Sequence, residues 1–355
     1  MHRVSTAQIP IAAKLIAWQA RAGRHHLPWQ IERTPYRVWV AEIMLQQTQV
    51  ATVTPYYQRF MARFPEVRAL AAAPLDEVLH LWSGLGYYAR ARNLHRAAML
   101  IRDDFAGQLP RAFAELAALP GIGRSTAGAI LALSYGMRLP ILDGNVRRVL
   151  SRYFGVATPA AERATLEHLW QLSEFCTPET QLAEYTQAIM DLGATVCVRR
   201  APRCAECPLS PDCIARQTQR QHELPVRAKA PARPTRHAVM VVALSVGGNV
   251  LLERRPDSGI WGGLWSLPQF DSNDAARTYI SQSLPAALSE PRPLGDVEHV
   301  FTHFNLVMHP FLVRCGGESA VMEEGSTLWY NLRQPARVGL PAPIRNLLAR
   351  VADET

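Results

Sequence analysis

The sequence predicts a multidomain protein in which an all-α domain precedes a smaller α+β domain. Its 355 residues exceed what one hydrophobic core usually serves, so two domains are expected. Hydrophobic residues make up 48% and charged residues 19%, a balance typical of globular chains. From Met1 to about Arg216 apolar residues recur at helical spacing, whereas later segments alternate as strands do. We therefore predict domains at residues 1–216 and 237–355.

The first domain is predicted to be a succession of helices with Gly and Pro at the joins. Its start, Met1–Ala22, has an amphipathic pattern and lacks the continuous apolar core and cleavage site of a signal peptide. Further helices are predicted at Tyr36–Phe60, Leu75–Leu81, Ala89–Phe105, Arg111–Leu119, Ser125–Ser134 and Val146–Phe154. No run approaches the roughly 18 apolar residues of a membrane span, so we expect a cytoplasmic protein.

Residues 217–236 combine three prolines with basic side chains and predict an extended linker. Beyond it, His237–Val246 and Asn249–Arg254 are predicted to pair as a hairpin through Gly247-Gly248. The remaining elements predicted for the α+β domain are a strand at Leu264–Phe270, a helix at Asn273–Leu284, a β-rich stretch at Val297–Arg314, a strand at Leu328–Leu332 and a helix at Pro343–Val351.

The charge balance favours a polyanionic partner. The net charge is +8, and residues 191–236 hold nine basic side chains against four acidic ones. Such a basic surface suits the neutralisation of DNA phosphates, although a solvated charged face would have the same composition.

The six cysteines are distributed unevenly, because four of them crowd into seventeen residues. These four are Cys197, Cys204, Cys207 and Cys213. A group this dense favours metal or cluster binding over a disulfide framework. One C-x2-C flanked by single cysteines favours a four-iron cluster, with zinc and four unliganded thiols as the alternatives. Cys176 and Cys315 stand alone and are expected to be structural.

A glycine-rich turn joins two predicted helices. In Leu119-Pro120-Gly121-Ile122-Gly123-Arg124 the two glycines allow a tight turn and leave backbone N–H groups exposed at the next helix start. Such a turn can hold a phosphate without any side chain, although alone it would be a plain interhelical turn.

These motifs together resemble the helix-hairpin-helix, iron–sulfur DNA glycosylases, and more narrowly the adenine DNA glycosylase (MutY-type) branch. The resemblance covers nearly the whole chain. It rests on the glycine-rich turn, the cysteine spacing, and three segments: Ala41-Glu42-Ile43-Met44-Leu45-Gln46-Gln47-Thr48-Gln49, Gly84-Leu85-Gly86-Tyr87-Tyr88-Ala89-Arg90 and Ile141-Leu142-Asp143-Gly144-Asn145-Val146. It implies one 4Fe–4S cluster on the four crowded cysteines, duplex DNA as partner, and a monomer associated with the nucleoid.

Two carboxyl groups suit the cleavage of an N-glycosidic bond, in which the base must gain a proton and the sugar develops positive charge. Glu42 lies among apolar neighbours and should stay protonated longer, as a general acid needs, although most helix glutamates are surface residues. Asp143 by itself suggests a turn or N-cap residue. The resemblance implies that Glu42 protonates adenine, that Asp143 stabilises the sugar cation, electrostatically or covalently, and that Asn145 positions them.

The resemblance assigns further residues to DNA and base contacts. Gly121, Gly123 and Ser125 belong to the hairpin, and Ser125 stands where related strand-cutting enzymes carry a Schiff-base lysine, which implies base removal only. Gln47 and Tyr87 match residues that insert into the duplex when a base is extruded. Residues matching the surroundings of the extruded adenine are Leu27, Trp29 and Gln187.

The second domain resembles the Nudix fold without its glutamate-rich, magnesium-holding helix, which implies a recognition domain. The resemblance implies that Phe301-Thr302-His303 reads 8-oxoguanine opposite the adenine, with Thr302 where many relatives have serine. Otherwise the motif would be part of a plain strand. The alternatives are a glycosylase for another mismatch such as thymine opposite guanine, a non-catalytic iron–sulfur binding module, and a zinc-bearing DNA-binding protein.

Overall fold

The protein is described from a computed structural model that covers residues 11–159, 161–226, 232–284, 288–318 and 326–353. Within these ranges the chain divides into two compact units, residues 1–71 with 96–230 and residues 72–95 with 231–355. None of the helices described is long and apolar enough to cross a membrane. The first ten residues of the predicted N-terminal helix and residues 227–231 of the predicted linker lie outside the described ranges.

The helical part of the chain confirms the predicted all-α architecture. Its helices are α1 (Ile11–Ala22), α2 (Pro28–Ile31), α3 (Pro35–Leu45), α4 (Val50–Arg63), α5 (Val67–Ala72), α6 (Leu75–Trp82), α7 (Ala89–Asp104), α8 (Phe113–Ala118), α9 (Arg124–Tyr135), α10 (Gly144–Tyr153), α11 (Arg163–Cys176), α12 (Leu182–Thr195) and α13 (Ile214–Gln217). Apolar faces of α1, α10, α11 and α12 form one core, in which Leu15, Leu150, Leu169 and Ala188 are fully buried. This core holds the starts of α10 and α12 in fixed positions.

The single helix predicted over Tyr36–Phe60 is wrong, because the chain forms α3 and α4 with a turn between them. The turn consists of polar residues, and Gln47 adopts a left-handed φ of 58° that no α-helix allows. A run of four polar residues cannot continue the buried face of α3, so the helix ends at Leu45. The other predicted helices of this part form within two residues of the predicted bounds.

The second unit is built on one mixed sheet among the described residues. Its strands are β1 (Thr235–Ser245), β2 (Asn249–Arg254), β3 (Trp265–Ser266), β4 (Gln269–Phe270), β5 (Arg292–Pro293), β6 (Val297–Val300), β7 (Asn305–Cys315) and β8 (Thr327–Asn331), and its C-terminal helices are α14 (Asn273–Ser283) and α15 (Ala342–Asp353). The central pair, β1 and β7, is parallel and in register from Thr235↔Asn305 to Ser245↔Cys315. The predicted α+β domain and the β1–β2 hairpin are confirmed.

Two predicted β segments divide in the structure. The single strand predicted at Leu264–Phe270 is wrong, because β3 pairs with β2 and β4 with β1. Pro268 between them lacks an N–H group, so it cannot continue a ladder. The β-rich stretch at Val297–Arg314 resolves into β6 and β7, an antiparallel pair around a turn at residues 301–304. That turn carries the predicted lesion-reading motif.

Candidate active site

The predicted catalytic residues lie in one cleft of the first unit, which has a volume of about 860 Å³. Its walls come from α3 and the turn after it, from α9, from the start of α10 and from α12. The sequence-predicted site residues that line this cleft are Leu27, Trp29, Glu42, Gln47, Ser125, Asp143, Asn145 and Gln187. Gly121 and Gly123 belong to the turn between α8 and α9.

Glu42 lies on α3, where its carboxyl is accessible from the cleft and its neighbours Trp39 and Ile43 are buried. Removal from water, and secondarily the negative charge of Asp143, raises the pKa of Glu42 to about 8. The carboxyl is therefore mostly protonated at neutral pH. A protonated carboxyl facing a cleft is able to donate a proton to a bound group.

Asp143 caps the N-terminus of α10, as the sequence predicts. Its Oδ1 accepts hydrogen bonds from the backbone amides of Asn145 (3.0 Å) and Val146 (2.7 Å), and its Oδ2 accepts one from the Asn145 side-chain amide (3.1 Å). Burial is the larger effect and raises the pKa of Asp143 overall, whereas these bonds and the positive charge of Arg148 act in the opposite direction. Because these three donors favour the ionised form, we assign the negative charge of the pair to Asp143 and the proton to Glu42.

Arg148 is a residue of the site that sequence reasoning missed. Its guanidinium donates to Asn145 Oδ1 (2.7 Å) and to the carbonyls of Gly193 (2.6 Å) and Cys197 (2.7 Å). Asn145 is therefore held from both ends, by Asp143 and by Arg148. The sequence signal that could have identified Arg148 is its position three residues after Asn145 on α10, since residues i and i+3 lie on the same face of a helix.

Gly193 on α12 allows the close approach of α10. A Cβ atom at this position would lie 2.6 Å from the Cβ of Asn145 and 3.0 Å from its backbone. Because Gly193 has no side chain, Asn145 can lie this close to α12.

The glycine-rich turn contacts both sides of the cleft. Gly121 has a left-handed φ of 79°, and Gly123 precedes the first residue of α9. The Ser125 hydroxyl accepts a hydrogen bond from the backbone amide of Leu142, 2.9 Å away. On the other side, the Gln46 side-chain amide donates to the carbonyl of Gly121 (3.4 Å). The turn is thus linked both to the residue before Asp143 and to the residue before Gln47.

A buried carboxylate orients Gln187. The Gln187 Nε2 donates to Asp191 Oδ1 (2.9 Å), and Asp191 is completely buried. Arg24 donates hydrogen bonds to Asp191 from its Nε (2.8 Å), its Nη2 (2.5 Å) and its backbone amide (2.9 Å). The positive charge of its guanidinium balances the carboxylate. Sequence reasoning missed Arg24 and Asp191, and the signal was an aspartate among the apolar residues of the segment that forms α12.

Gln30 is a further cleft residue that sequence reasoning missed. Both polar atoms of its side-chain amide are buried without a hydrogen-bond partner among the described residues, and Gln30 follows Trp29 in the cleft wall. An unpaired buried amide is costly unless a ligand or water completes it.

The four crowded cysteines line one cavity together with Arg152 of α10. Arg152 is 2% exposed, and its Nη1 lies 3.3 Å from the Cys197 sulfur. Burial raises the pKa of Cys207 to about 12 and also raises the pKa of Cys213, whereas backbone N–H groups of Leu209 and Arg216 point to these sulfurs and partly oppose the increase. Among the described residues, no group of three or more His, Cys, Asp or Glu side chains is arranged so that it could hold a metal ion. The other thiols, Cys176 and Cys315, are each buried in a hydrophobic core, as expected of structural residues.

Tyr87 lies in the second unit, at the tip of the turn between α6 and α7. Its φ is 50°, in the left-handed region, and its side chain is 48% exposed. Gln47 of the first unit shares both features, a left-handed φ and an exposed side chain. Non-glycine residues rarely adopt this conformation, and where they do the strain often marks a functional position.

The Phe301-Thr302-His303 motif forms a turn rather than a strand. Thr302 and His303 are exposed, whereas Phe301 packs against Trp261 and Phe304 with ring centroids 5.6 and 4.7 Å apart. A hydrogen bond from the Phe301 amide to the Phe304 carbonyl (2.9 Å) closes the turn. Phe301 therefore anchors the turn and presents the other two side chains to solvent.

Comparisons with known proteins agree with both parts of the fold. The HhH-GPD superfamily of base excision DNA repair proteins matches residues 40–175, and the NUDIX domain matches residues 239–350. The protein named adenine DNA glycosylase from Buchnera aphidicola (Acyrthosiphon pisum) is 36% identical over 335 residues, 94% of this chain and 95% of that one. The chain belongs to the adenine DNA glycosylase family. The human protein of this name is 32% identical, over 86% of this chain and 67% of its own.

Solved structures confirm the helical fold of this adenine DNA glycosylase family member. A thermostable thymine-DNA glycosylase superposes with a TM-score of 0.53 at 26% identity, over 58% of this chain and 95% of its own. An endonuclease III in a non-covalent DNA complex superposes with a TM-score of 0.50 at 24% identity, over 59% of this chain and 94% of its own. Membership of the adenine DNA glycosylase family makes the chain a base-excision-repair enzyme that hydrolyses glycosidic bonds.

Proposed function

We propose that this enzyme removes adenine mispaired with 8-oxoguanine or guanine in duplex DNA without cutting the strand. Residues 1–216 would perform catalysis, residues 217–236 would connect, and residues 237–355 would read the opposite base. The observation that carries the proposal is the pair of carboxyls in one cleft, Glu42 with a pKa of about 8 and Asp143 with three hydrogen bonds that favour its ionised form.

The proposed mechanism uses these two groups at different steps. Glu42 donates its proton to a ring nitrogen of adenine, and the C–N bond breaks with its electron pair leaving on the base. The ionised Asp143 stabilises the positive charge that develops on the sugar, while Asn145 keeps its carboxylate oriented. A water oxygen then bonds to the sugar carbon, and a proton of that water returns to Glu42. An ionised Asp143 and a protonated Glu42 also suit a mechanism in which the Asp143 carboxylate first bonds to the sugar carbon and water then displaces it.

Ser125 supports base removal without strand cleavage. A Schiff base requires an amine at the sugar, and Ser125 has only a hydroxyl, which already accepts the Leu142 amide. Water is then the group that completes the reaction.

The cleft residues beside Glu42 suit an extruded adenine. Leu27 and Trp29 provide an apolar wall, and both are buried. Gln187 donates through Nε2 to Asp191, which leaves its Oε1 as the acceptor for an exocyclic amine. The unpaired Gln30 amide has the donor and acceptor that an adenine edge can satisfy.

DNA binding would use the hairpin and the two strained turns. Gly121, Gly123 and the start of α9 present backbone N–H groups to a phosphate. Gln47 and Tyr87 would enter the duplex as the adenine leaves its stack. The exposed Thr302 and His303, carried by Phe301, would contact 8-oxoguanine.

We also propose one 4Fe–4S cluster held by Cys197, Cys204, Cys207 and Cys213. The residues fit it, because all four cysteines line one cavity and N–H groups from Arg152 and the backbone are available to sulfur that carries negative charge. The bound cluster would cross-link the basic loop. Purified protein should be brown and contain iron. Cys207→Ser should lose both, whereas Cys315→Ser should keep them, and zinc in place of iron in colourless, active protein would contradict the proposal.

The function is tested with a duplex carrying one adenine opposite 8-oxoguanine, labelled on the adenine strand. After incubation, half of the sample is treated with hot alkali. A break that appears only after alkali shows adenine removal without strand cleavage, and Glu42→Gln should abolish it. A break without alkali would contradict the inference from Ser125. No break in either half, from protein with its iron intact, would refute adenine removal, and a thymine·guanine duplex would then test the alternative.

A further inference from the structure

The turn that presents Tyr87 is fastened to Leu340 from both of its ends. At one end, the Ser83 hydroxyl accepts from the Leu340 amide (3.2 Å) and lies 3.2 Å from the Leu340 carbonyl. At the other end, the Tyr88 hydroxyl donates to the same carbonyl (3.1 Å) and accepts from the Gly84 amide (3.1 Å). Both Tyr88 and Leu340 are buried, so these bonds are shielded from water.

Further contacts join the rest of residues 72–95 to the C-terminal residues within the second unit. His80 Nδ1 lies 3.3 Å from the Val338 carbonyl, and the Trp265 indole donates to Asp76 (3.3 Å). A Cβ atom on Gly339 would lie 2.6 Å from the Cβ of Leu79, so only glycine fits there. The segment that carries Tyr87 therefore belongs to the same compact unit as the Phe301–His303 turn.

The Tyr87 turn itself is held tightly. Gly84, Gly86 and Tyr87 all have left-handed φ values, of 99°, 76° and 50°. The Trp82 indole and the Arg90 guanidinium both donate to the Gly86 carbonyl, at 3.1 and 3.2 Å, and Arg90 lies 5.3 Å from the centre of the Tyr87 ring. Because the turn is fixed in this way, a displacement of Leu340 should displace Tyr87 as well.

We propose that Ser83 and Tyr88 are positioning residues that couple the reading of the base opposite adenine to the insertion of Tyr87. The inference rests on the proposed function for the roles of Tyr87 and of the Phe301–His303 turn. Contacts between the C-terminal residues and 8-oxoguanine stabilise one position of the second unit on the DNA. Because the bonds to Leu340 fix Tyr87 to that unit, the same contacts also fix the position of Tyr87. Guanine makes fewer such contacts, so its mispair depends less on the coupling.

The test compares Tyr88→Phe, Ser83→Ala and the double variant with Tyr279→Phe as matched control. Tyr279 lies in the same unit, and its hydroxyl donates to Glu253 (2.9 Å), away from Leu340. Single-turnover rates are measured on adenine opposite 8-oxoguanine and opposite guanine. The double variant should lose about tenfold of its preference for the 8-oxoguanine duplex, as the loss of two or three hydrogen bonds implies. Its rate on the guanine duplex should stay within about twofold.

A second readout does not depend on base removal. 2-Aminopurine placed beside the 8-oxoguanine reports stacking of Tyr87 by its fluorescence, and the double variant should change this signal as Tyr87→Ala does. Ser83→Thr keeps the hydroxyl and should retain both the preference and the signal. Equal loss of rate on both duplexes, or an unchanged preference in folded double variant, would overturn the coupling. Failure of the proposed function would instead appear in the unaltered protein as no adenine release, and the fluorescence would still decide the coupling.

Discussion

The Ser125 hydroxyl accepts the backbone amide of Leu142 at 2.9 Å, which links the helix after the glycine-rich turn to the residue before Asp143. In the proposed function, a phosphate bound at the turn and the Asp143 carboxylate at the sugar would therefore have a common support. The proposed function uses Ser125 as the position that lacks a Schiff-base amine, and this hydrogen bond gives the same residue a structural role.

Ser125→Ala should slow adenine removal by about tenfold, because the Leu142 amide loses its partner and the segment that carries Asp143 becomes less well oriented. Single-turnover rates at saturating enzyme measure this effect without a contribution from binding. Ser125→Thr retains the hydroxyl and is the control. A Ser125→Ala rate equal to that of the unaltered protein would mean that Leu142 does not position Asp143.

Glu42 should give the reaction an alkaline limit. Its pKa is raised to about 8, and its active form is protonated, so the single-turnover rate should be level below that pH and fall about tenfold for each pH unit above it. The measurement is a pH–rate profile on the adenine strand. Glu42→Gln should show only a low residual rate with no such decline, and an alkaline limit that survives this substitution would assign the titration to another group.

The same raised pKa has a consequence for stability. A carboxyl whose pKa is raised on folding stabilises the protein fully below its unfolded value of 4.5, and this contribution is lost as the pH rises through about 8. Glu42→Gln should therefore gain in free energy of unfolding relative to the unaltered protein between pH 5 and 8 (roughly the window between the two pKa values). Urea unfolding at several pH values checks this, and a constant difference would contradict a raised pKa in the folded state.

Arg24→Met should destabilise the protein by about 3 kcal/mol, because it leaves the completely buried Asp191 carboxylate without its cation. The loss should shrink in the double variant with Asp191→Asn, since the uncompensated charge is then removed. Thermal unfolding of the four proteins of this cycle measures the coupling. Additive losses would show that Arg24 and Asp191 do not act as a pair.

Gly193→Ala should reduce adenine removal more than it reduces stability. Its Cβ would lie 2.6 Å from that of Asn145, so α10 must shift and move Asp143 with it. We expect a rate loss of about a hundredfold, as small misplacements of catalytic groups can produce. The control is Gly317→Ala, where a Cβ meets nothing within 4 Å. An unchanged rate in Gly193→Ala would show that α12 does not set the position of Asn145.

The succession of helices, the change to strands after the linker and the cysteine group could all be predicted from local pattern. Residue spacing and turn residues act over a few positions, so the β1–β2 hairpin and the N-cap at Asp143 were predicted from nearby residues alone. Resemblance added the site residues, and eight of them line the same cleft. The break between α3 and α4 was missed because only four polar residues, 46–49, separate two segments that both carry apolar residues at helical spacing.

What the sequence by itself determined is the set of elements and the chemical groups available, since both depend on residue type and short spacing. Only the tertiary structure decided how those groups behave. The pKa of Glu42 depends on burial and on Asp143, which is 101 residues away along the chain. The hydrogen bonds of Asp191 to Arg24, and of Ser83 and Tyr88 to Leu340, likewise join distant segments. Such contacts follow from packing of whole elements, which no local pattern encodes.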